Sequence, residues 1–250
     1  MVLKGKVALV TGAGQGVGQG IALALAAEGA RIAVTGRTLA KLEQTCSIIQ
    51  QRGGVAIPLE CDVKSAQALE QVVDAALGHY QALNILVNNA QEVPLGTLNQ
   101  VNDEQFNLGW ESGPLATFRL MKLCYPHLKG GGAIINLASS SSRRWDSSGF
   151  GAYAATKEAI RSLTRAAACE WGEDGIRTNA IMPLANSPGM AWWMENKAEE
   201  AAQFLGELPM GRVGDCEKDI GRFVALLCSD ASGYVNGQTI GLDGGQALIT

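Results

Sequence analysis

Apolar and polar positions alternate along the first 90 residues in two rhythms. Short apolar runs at Val7–Val10, Arg31–Thr35, Val55–Leu59 and Leu83–Val87 have the length of buried strands. Between them lie longer segments with helical spacing. Gly16 to Glu28 carries Ile21, Leu23, Ala24, Leu25 and Ala27 and stops at Gly29. Leu39 to Gln51 is closed by Gly53-Gly54, and a third helix runs from Ser65 to about Gly78. Farther on, the pattern predicts a long helix over Asp103–Leu128, a strand at Ala133–Leu137 and a helix over Gly151–Glu173. A strand at Arg177–Met182, a helix over Asp215–Ser229 and a last strand at Gln238–Leu242 follow.

Short apolar strands separated by helices mean parallel strands with right-handed crossovers, buried on both faces. The expected fold class is therefore α/β, a doubly wound parallel sheet of about seven strands. No linker or repeat interrupts the alternation, so residues 1–250 read as a single domain. One segment stands outside the alternation. Residues from about 184 to 211, with Met190, Trp192, Trp193, Met194 and Phe204, predict a helical excursion over the sheet edge.

Composition narrows the class. Hydrophobic residues make up 47% of the 250 and charged residues 18%, which favours a large core over disorder. Glycine is in excess, at 31 residues with only 7 prolines and no triplet period, so these glycines belong to turns and close backbone approaches. A net charge of -4 without a basic run gives no reason to expect a nucleic-acid or membrane partner. The 6 cysteines are scattered with no C-x-x-C pair, and His79 and His127 lie far apart, so no metal site is expected and a reducing cytoplasm fits. The apolar stretch Val7–Val10 is too short for a signal-peptide core, and no run is long enough to cross a bilayer.

Candidate chemistry begins at Thr11-Gly12-Ala13-Gly14-Gln15-Gly16-Val17-Gly18, between the first strand and the first helix. Glycines there allow positive φ and bring backbone N–H groups to a pyrophosphate at a helix N-terminus. A glycine string alone is a common turn; its place between strand and helix is what points to a nucleotide. The second strand ends in Thr35-Gly36-Arg37-Thr38, without the carboxylate that usually binds the ribose 2′-hydroxyl of NAD. Arg37, aided by Thr38, suits a 2′-phosphate, so NADP(H) is favoured and NAD(H) is the alternative; a solvated arginine is the plain reading. Asp62 and Val63, after the third strand, are candidates for the adenine, with a ligand-free helix-flanking aspartate as the counter-reading.

Tyr153 and Lys157 stand one helical turn apart, and Ser139 follows the strand Ile134–Leu137 at the carboxyl edge of the sheet. A tyrosine near pKa 10 is a poor base at neutral pH, and a lysine cation beside it favours the phenolate. Ser139 would hold the substrate oxygen near the phenol. Any one such pair is frequent on helix surfaces.

Taken together, the residues resemble the short-chain dehydrogenase/reductase family over nearly the whole chain. The carriers are Thr11-Gly12-x-x-x-Gly16-x-Gly18, Asn88-Asn89-Ala90, Ser139, Tyr153 with Lys157, Asn179 and Pro183, and Asp243-Gly244-Gly245. The resemblance implies a Rossmann-like fold with strand order 3-2-1-4-5-6-7 and hydride transfer between nicotinamide C4 and an alcohol or carbonyl carbon. It implies Tyr153 as acid/base and Lys157 as a ligand of the nicotinamide ribose. Gly12, Gln15, Gly16, Val17, Gly18, Asn89, Ala90 and Pro183 fall at cofactor positions. It also implies a homo-oligomer, dimer or tetramer. Enoyl-reductase relatives space their Tyr and Lys more widely, which argues against that chemistry here.

Three positions depart from the family pattern. Gln91 stands where the family has glycine, Leu184 follows Pro183 in place of glycine, and the family's catalytic asparagine falls at Gly113. Either the tetrad is reduced to a triad, or Gln91, Glu111 or Ser112 supplies the missing group with Gly113 making room. A nucleotide-binding protein without catalysis is the non-enzyme alternative, weakened by the intact Ser139, Tyr153 and Lys157. Arg143, Arg144, Trp145, Trp192 and Trp193, with Gln91, are candidates for the substrate pocket, and an apolar, bulky or ring-shaped secondary alcohol or ketone is the expected small-molecule substrate. Trp192 and Trp193 could equally be packing residues, and Arg143 and Arg144 a solvated pair.

Overall fold

The computed structural model describes residues 1–145 and 147–247. Strands β1 (Val7–Thr11), β2 (Arg31–Gly36), β3 (Val55–Glu60), β4 (Ile85–Asn88), β5 (Ala133–Leu137), β6 (Arg177–Pro183) and β7 (Thr239–Leu242) form one parallel sheet in the order β3-β2-β1-β4-β5-β6-β7. The expected class and strand order are borne out. Every residue of β1, β4 and β5 is buried, as a strand covered on both faces requires. Pro58 lies in β3, at the sheet's edge, the place where a missing backbone N–H costs least.

Helices α1 (Gly16–Ala27), α2 (Leu39–Gln51), α3 (Ala66–Tyr80), α4 (Asp103–Trp110), α5 (Ala116–Leu128) and α6 (Gly151–Trp171) make the crossovers. Two apolar cores result, one under α1 and α2 around Val10, Ile21, Ile32 and Leu42, the other under α3 and α5 around Leu9, Leu69, Leu86 and Leu120. Each fully buried Leu or Ile contributes about 1.5–3 kcal/mol by leaving water. The order reverses between β1 and β4, so the carboxyl ends of these strands open a crevice.

Several boundaries differ from the sequence expectation for local reasons. Helix α3 passes Gly78 and ends at Gln81, whose left-handed φ of 58° lets its N–H cap Leu77 O. The helix expected over Asp103–Leu128 is split by a wide π-type turn at Glu111–Leu115, where Pro114 has no N–H for the α-helical ladder. The helix expected from Asp215 opens with a second wide turn at Cys216–Gly221 and continues only as α9 (Arg222–Leu227). The excursion after β6 is two helices, α7 (Pro188–Asn196) and α8 (Ala198–Glu207).

Candidate active site

The glycine turn after β1 is held by one side chain. Asn89, just past β4, donates through Nδ2 to Thr11 O (2.8 Å) and Gly12 O (3.2 Å). The backbone N–H groups of Asn89 and Ala90 in turn meet Thr11 Oγ1 at 2.9 and 3.0 Å. Gly12 has a φ of 64°, and a Cβ on it would lie 2.6 Å from Asn89 Nδ2. A Cβ on Gly18 would strike both Asn89 Nδ2 and Gly12 O. The loop therefore tolerates only glycine at both positions. Gln15, the N-cap of α1, makes no side-chain cap, so the first N–H groups of the helix are left facing the crevice.

These groups open on a cleft of about 530 Å³. It is lined by Gly12, Gln15, Gly16, Val17, Arg37, Thr38, Asp62, Val63, Asn89 and Ala90. The cradle that only glycines allow, with a free helix N-terminus, fits a dinucleotide pyrophosphate. Sequence reasoning missed three charged residues here. Lys41, on the first turn of α2, lines the same cleft and donates to Gln15 Oε1 at 2.6 Å. Glu92 ion-pairs with Arg37 at 2.7 Å and with Lys64 at 2.9 Å. Its hydrogen bond holds the Lys64 ammonium above its ordinary pKa. Lys41 lies four residues past Arg37, a spacing that could have revealed it; for the Glu92 pairs no local signal exists.

A second cavity of about 240 Å³ shares Val17, Asn89 and Gln91 with the first. Ser139, Tyr153 and Lys157 line it with Pro183, Leu184, Val93 and Met190. The three chemical residues come from two elements. Ser139 caps a short turn after β5, and Tyr153 and Lys157 share one face of α6. Burial pushes the Tyr153 hydroxyl up to about 12, against a lowering by its hydrogen bond with Ser139. Lys157 is 3% exposed, donates to Leu137 O at 2.5 Å, and has its Nζ 5.4 Å from the centre of the Tyr153 ring. Burial draws its pKa down to about 7. A lysine poised there can take or give a proton near neutrality.

The structure separates the candidates for the family's missing polar group. Ser112 is spent on Leu108 O (2.6 Å) and Glu92 N (2.9 Å), and Glu111 is exposed. Gln91 reaches into the site and donates to Thr156 Oγ1 at 2.6 Å, with its amide against Gly113. Of the six residues proposed for the substrate pocket, Gln91 alone lines the cavity. Trp145 is fully exposed, Trp192 is 61% exposed, and Trp193 packs edge-on against Phe204. Arg144 is outside the lining as well. Met190, Val93 and Leu184 form the apolar wall instead, because the excursion after β6 presents the first turn of α7 to the cavity and turns its tryptophans elsewhere.

Asn136 was also missed. It is fully buried in β5, accepts from Asn88 Nδ2 (2.8 Å) and donates to Thr164 Oγ1 (2.9 Å), tying β4, β5 and α6 together behind the site. Among the described residues no cluster of His, Cys, Asp and Glu could hold a metal, and no helix is long and apolar enough to cross a membrane.

Known proteins resemble this chain over nearly its whole length. The profile of a family described as enoyl-(acyl carrier protein) reductase matches residues 12–247. A 12alpha-hydroxysteroid dehydrogenase of Clostridium sp. is 38% identical over 98% of this chain and 97% of its own. A short-chain dehydrogenase/reductase of Serratia marcescens superposes with a TM-score of 0.93 at 30% identity, covering 99% of this chain and 100% of its own. A 7alpha-hydroxysteroid dehydrogenase, solved with NADH and 7-oxo glycochenodeoxycholic acid, superposes at 0.91 with 31% identity, covering 97% and 94%.

Proposed function

The chain belongs to the short-chain dehydrogenase/reductase family and is an NAD(P)-dependent oxidoreductase of alcohols and ketones, and from that premise we propose that it uses NADP(H) on a bulky, apolar, ring-shaped secondary alcohol or its ketone. The observation that carries the cofactor choice is the end of β2. Arg37 and Lys41 line the cleft there, and Gly36-Arg37-Thr38 offers no carboxylate to a ribose 2′-hydroxyl. The apolar wall of Val93, Leu184 and Met190 beside Ser139 and Tyr153 supports an apolar ring system, as do the hydroxysteroid dehydrogenases among the relatives. Tyr153 and Lys157, one turn apart, belong to alcohol–carbonyl chemistry rather than the enoyl reduction in the matched profile's description.

The nicotinamide, when bound, supplies or accepts the hydride. The chain's own residues do the rest. Gly12, Gly16 and the N-terminus of α1 receive the pyrophosphate, and Asn89 keeps that turn in shape. Ser139 hydrogen-bonds the substrate oxygen and polarises it. In reduction Tyr153 donates its proton to that oxygen; in oxidation it takes the proton back. Lys157, when charged, lowers the cost of the Tyr153 phenolate.

One observation favours NAD(H) as the second reading: Glu92 already occupies Arg37. Titrating both reduced nucleotides against the protein, then running a panel of hydroxysteroids and oxosteroids at the nicotinamide absorbance, tests the proposal. No turnover of any ring-shaped alcohol or ketone with either cofactor would sink it. The exposed Phe106, Trp110 and Phe118 on α4 and α5 support the homo-oligomer that the family resemblance implies; a monomer by sedimentation would refute that.

A further inference from the structure

Two cations, Arg37 and Lys41, and two carboxylates, Asp62 and Glu92, line the nucleotide cleft. A carboxylate beside Arg37 works against a 2′-phosphate, because it is a like charge at short range. Its place there calls for another role. The end of β2 is where a dinucleotide site usually puts the carboxylate for the ribose 2′-hydroxyl, and Gly36-Arg37-Thr38 has none. Glu92 reaches that end from the loop after β4, with Oε1 2.7 Å from Arg37 Nη1. Asp62 lies past β3 instead, where its Oδ1 accepts from Lys64 N at 3.0 Å.

Glu92 is held in the cleft by groups other than Arg37. Its N–H donates to Ser112 Oγ at 2.9 Å. Ser112 has given its own proton to Leu108 O (2.6 Å), so toward Glu92 it can only accept. At the side-chain end, Lys64 Nζ donates to Glu92 Oε1 at 2.9 Å. Lys64 stands outside the cleft lining, and its carbonyl accepts from Arg119 Nη1 at 3.1 Å. The carboxylate therefore has anchors that do not depend on Arg37. Both cations use Oε1. Glu92 Oε2 is not buried and accepts no hydrogen bond from any described residue.

We infer that Glu92 is a specificity-determining residue of the cofactor site: it supplies from the loop after β4 the carboxylate that β2 lacks, and its Oε2 accepts a hydrogen bond from the adenosine ribose 2′-hydroxyl of NAD(H). The inference rests on the reading of the cleft as a dinucleotide site and reaches beyond the NADP(H) choice. The two cofactors use opposite halves of one ion pair. With NADP(H), Arg37 leaves Glu92 for the 2′-phosphate, and Glu92 stays on Lys64. With NAD(H), Arg37 and Glu92 stay paired, and Glu92 accepts the hydroxyl in a charge-assisted bond, stronger than a neutral one.

The test is a binding titration, read by nicotinamide fluorescence, of three reduced nucleotides: NADPH, NADH, and the NADH analogue that lacks the adenosine 2′-hydroxyl. The parent should bind the analogue about tenfold more weakly than NADH. In Glu92→Ala, NADH should weaken about tenfold and the gap between NADH and the analogue should close to within about twofold, while NADPH does not weaken. Equal binding of NADH and the analogue by the parent overturns the inference, and so does a gap that persists in Glu92→Ala. A merely structural Glu92 would weaken all three nucleotides alike and leave the gap as it was. If Glu92→Ala does not fold, Glu92→Gln makes the same comparison, with the gap narrowed to about threefold because a neutral amide accepts more weakly. Failure of the dinucleotide reading has its own signature: none of the three binds the parent, which overturns that reading and the inference together. Whichever of NADPH and NADH the parent prefers, the gap decides, and the titration needs no substrate.

Discussion

Arg37 Nη1 lies 2.7 Å from Glu92 Oε1, an ion pair that joins the turn after β2 to the loop after β4 along the wall of the nucleotide cleft. The Arg37 side chain is 60% exposed, and such a pair is worth only about 0–1 kcal/mol. In the proposed NADP(H) reading, the more highly charged 2′-phosphate takes the guanidinium from the carboxylate.

Arg37→Ala is therefore expected to weaken NADPH binding about tenfold while changing NADH by less than about twofold. Glu92→Gln removes a like charge from beside the 2′-phosphate and should tighten NADPH about threefold. Fluorescence titration of both nucleotides measures this. Equal weakening of NADPH and NADH in Arg37→Ala would return the choice to NAD(H).

Tyr153→Phe keeps the ring and removes the proton donor. Turnover should fall by at least about a thousandfold, while the nucleotide Kd stays within about twofold of the parent. Steady-state rates on a turned-over alcohol, paired with a binding titration, check it; a Tyr153→Phe protein that still turns over would remove Tyr153 from the mechanism.

Lys157 carries a stability cost with a defined pH window. Its folded pKa is about 7 against an ordinary 10.5. Below pH 7 it is charged both folded and unfolded, and the full cost of burying the charge is present. Between pH 7 and 10.5 the unfolded chain binds the extra proton, so stability rises with pH, and above 10.5 the cost is gone. Lys157→Met should thus stabilise the protein at pH 6 by on the order of a few kcal/mol, with the gain shrinking toward pH 10. Denaturant melts of the two proteins across that range are the measurement, and a gain independent of pH would contradict it.

A structural prediction concerns α1. A Cβ on Gly20 would run into the carbonyl group of Cys216 in the wide turn before α9, and one on Gly221 would run into Gly20 O. Gly20→Ala should destabilise by about 1–3 kcal/mol through overpacking, although alanine is the better helix former. A urea midpoint at or above the parent's would show that the contact has slack.

The strands and most helices were legible because their signals are local. Buried parallel strands must read as continuous apolar runs, and helices between them must repeat every third or fourth residue. Where expectation and structure part, as at Glu111–Leu115 and Cys216–Gly221, the cause is a tertiary contact or a proline inside an otherwise helical pattern. The tryptophans of α7 show the reverse error of scale. Their spacing marks a helix, but spacing cannot say which face meets the cavity, and Met190 takes that place.

By itself, then, the sequence determined the sheet, its order through the family resemblance, the glycine turn, and the Ser139, Tyr153 and Lys157 set, because each rests on neighbours in the chain or on a repeated spacing. Only the tertiary structure decided which residue fills the space at Gly113, and whom Arg37 meets. Gln91 meets Thr156 from 65 residues away, and Glu92 meets Arg37 from 55. Those encounters exist because the crevice between β1 and β4 gathers the carboxyl ends of strands that are distant in sequence, and hydrogen bonds and charge pairs form by distance in space.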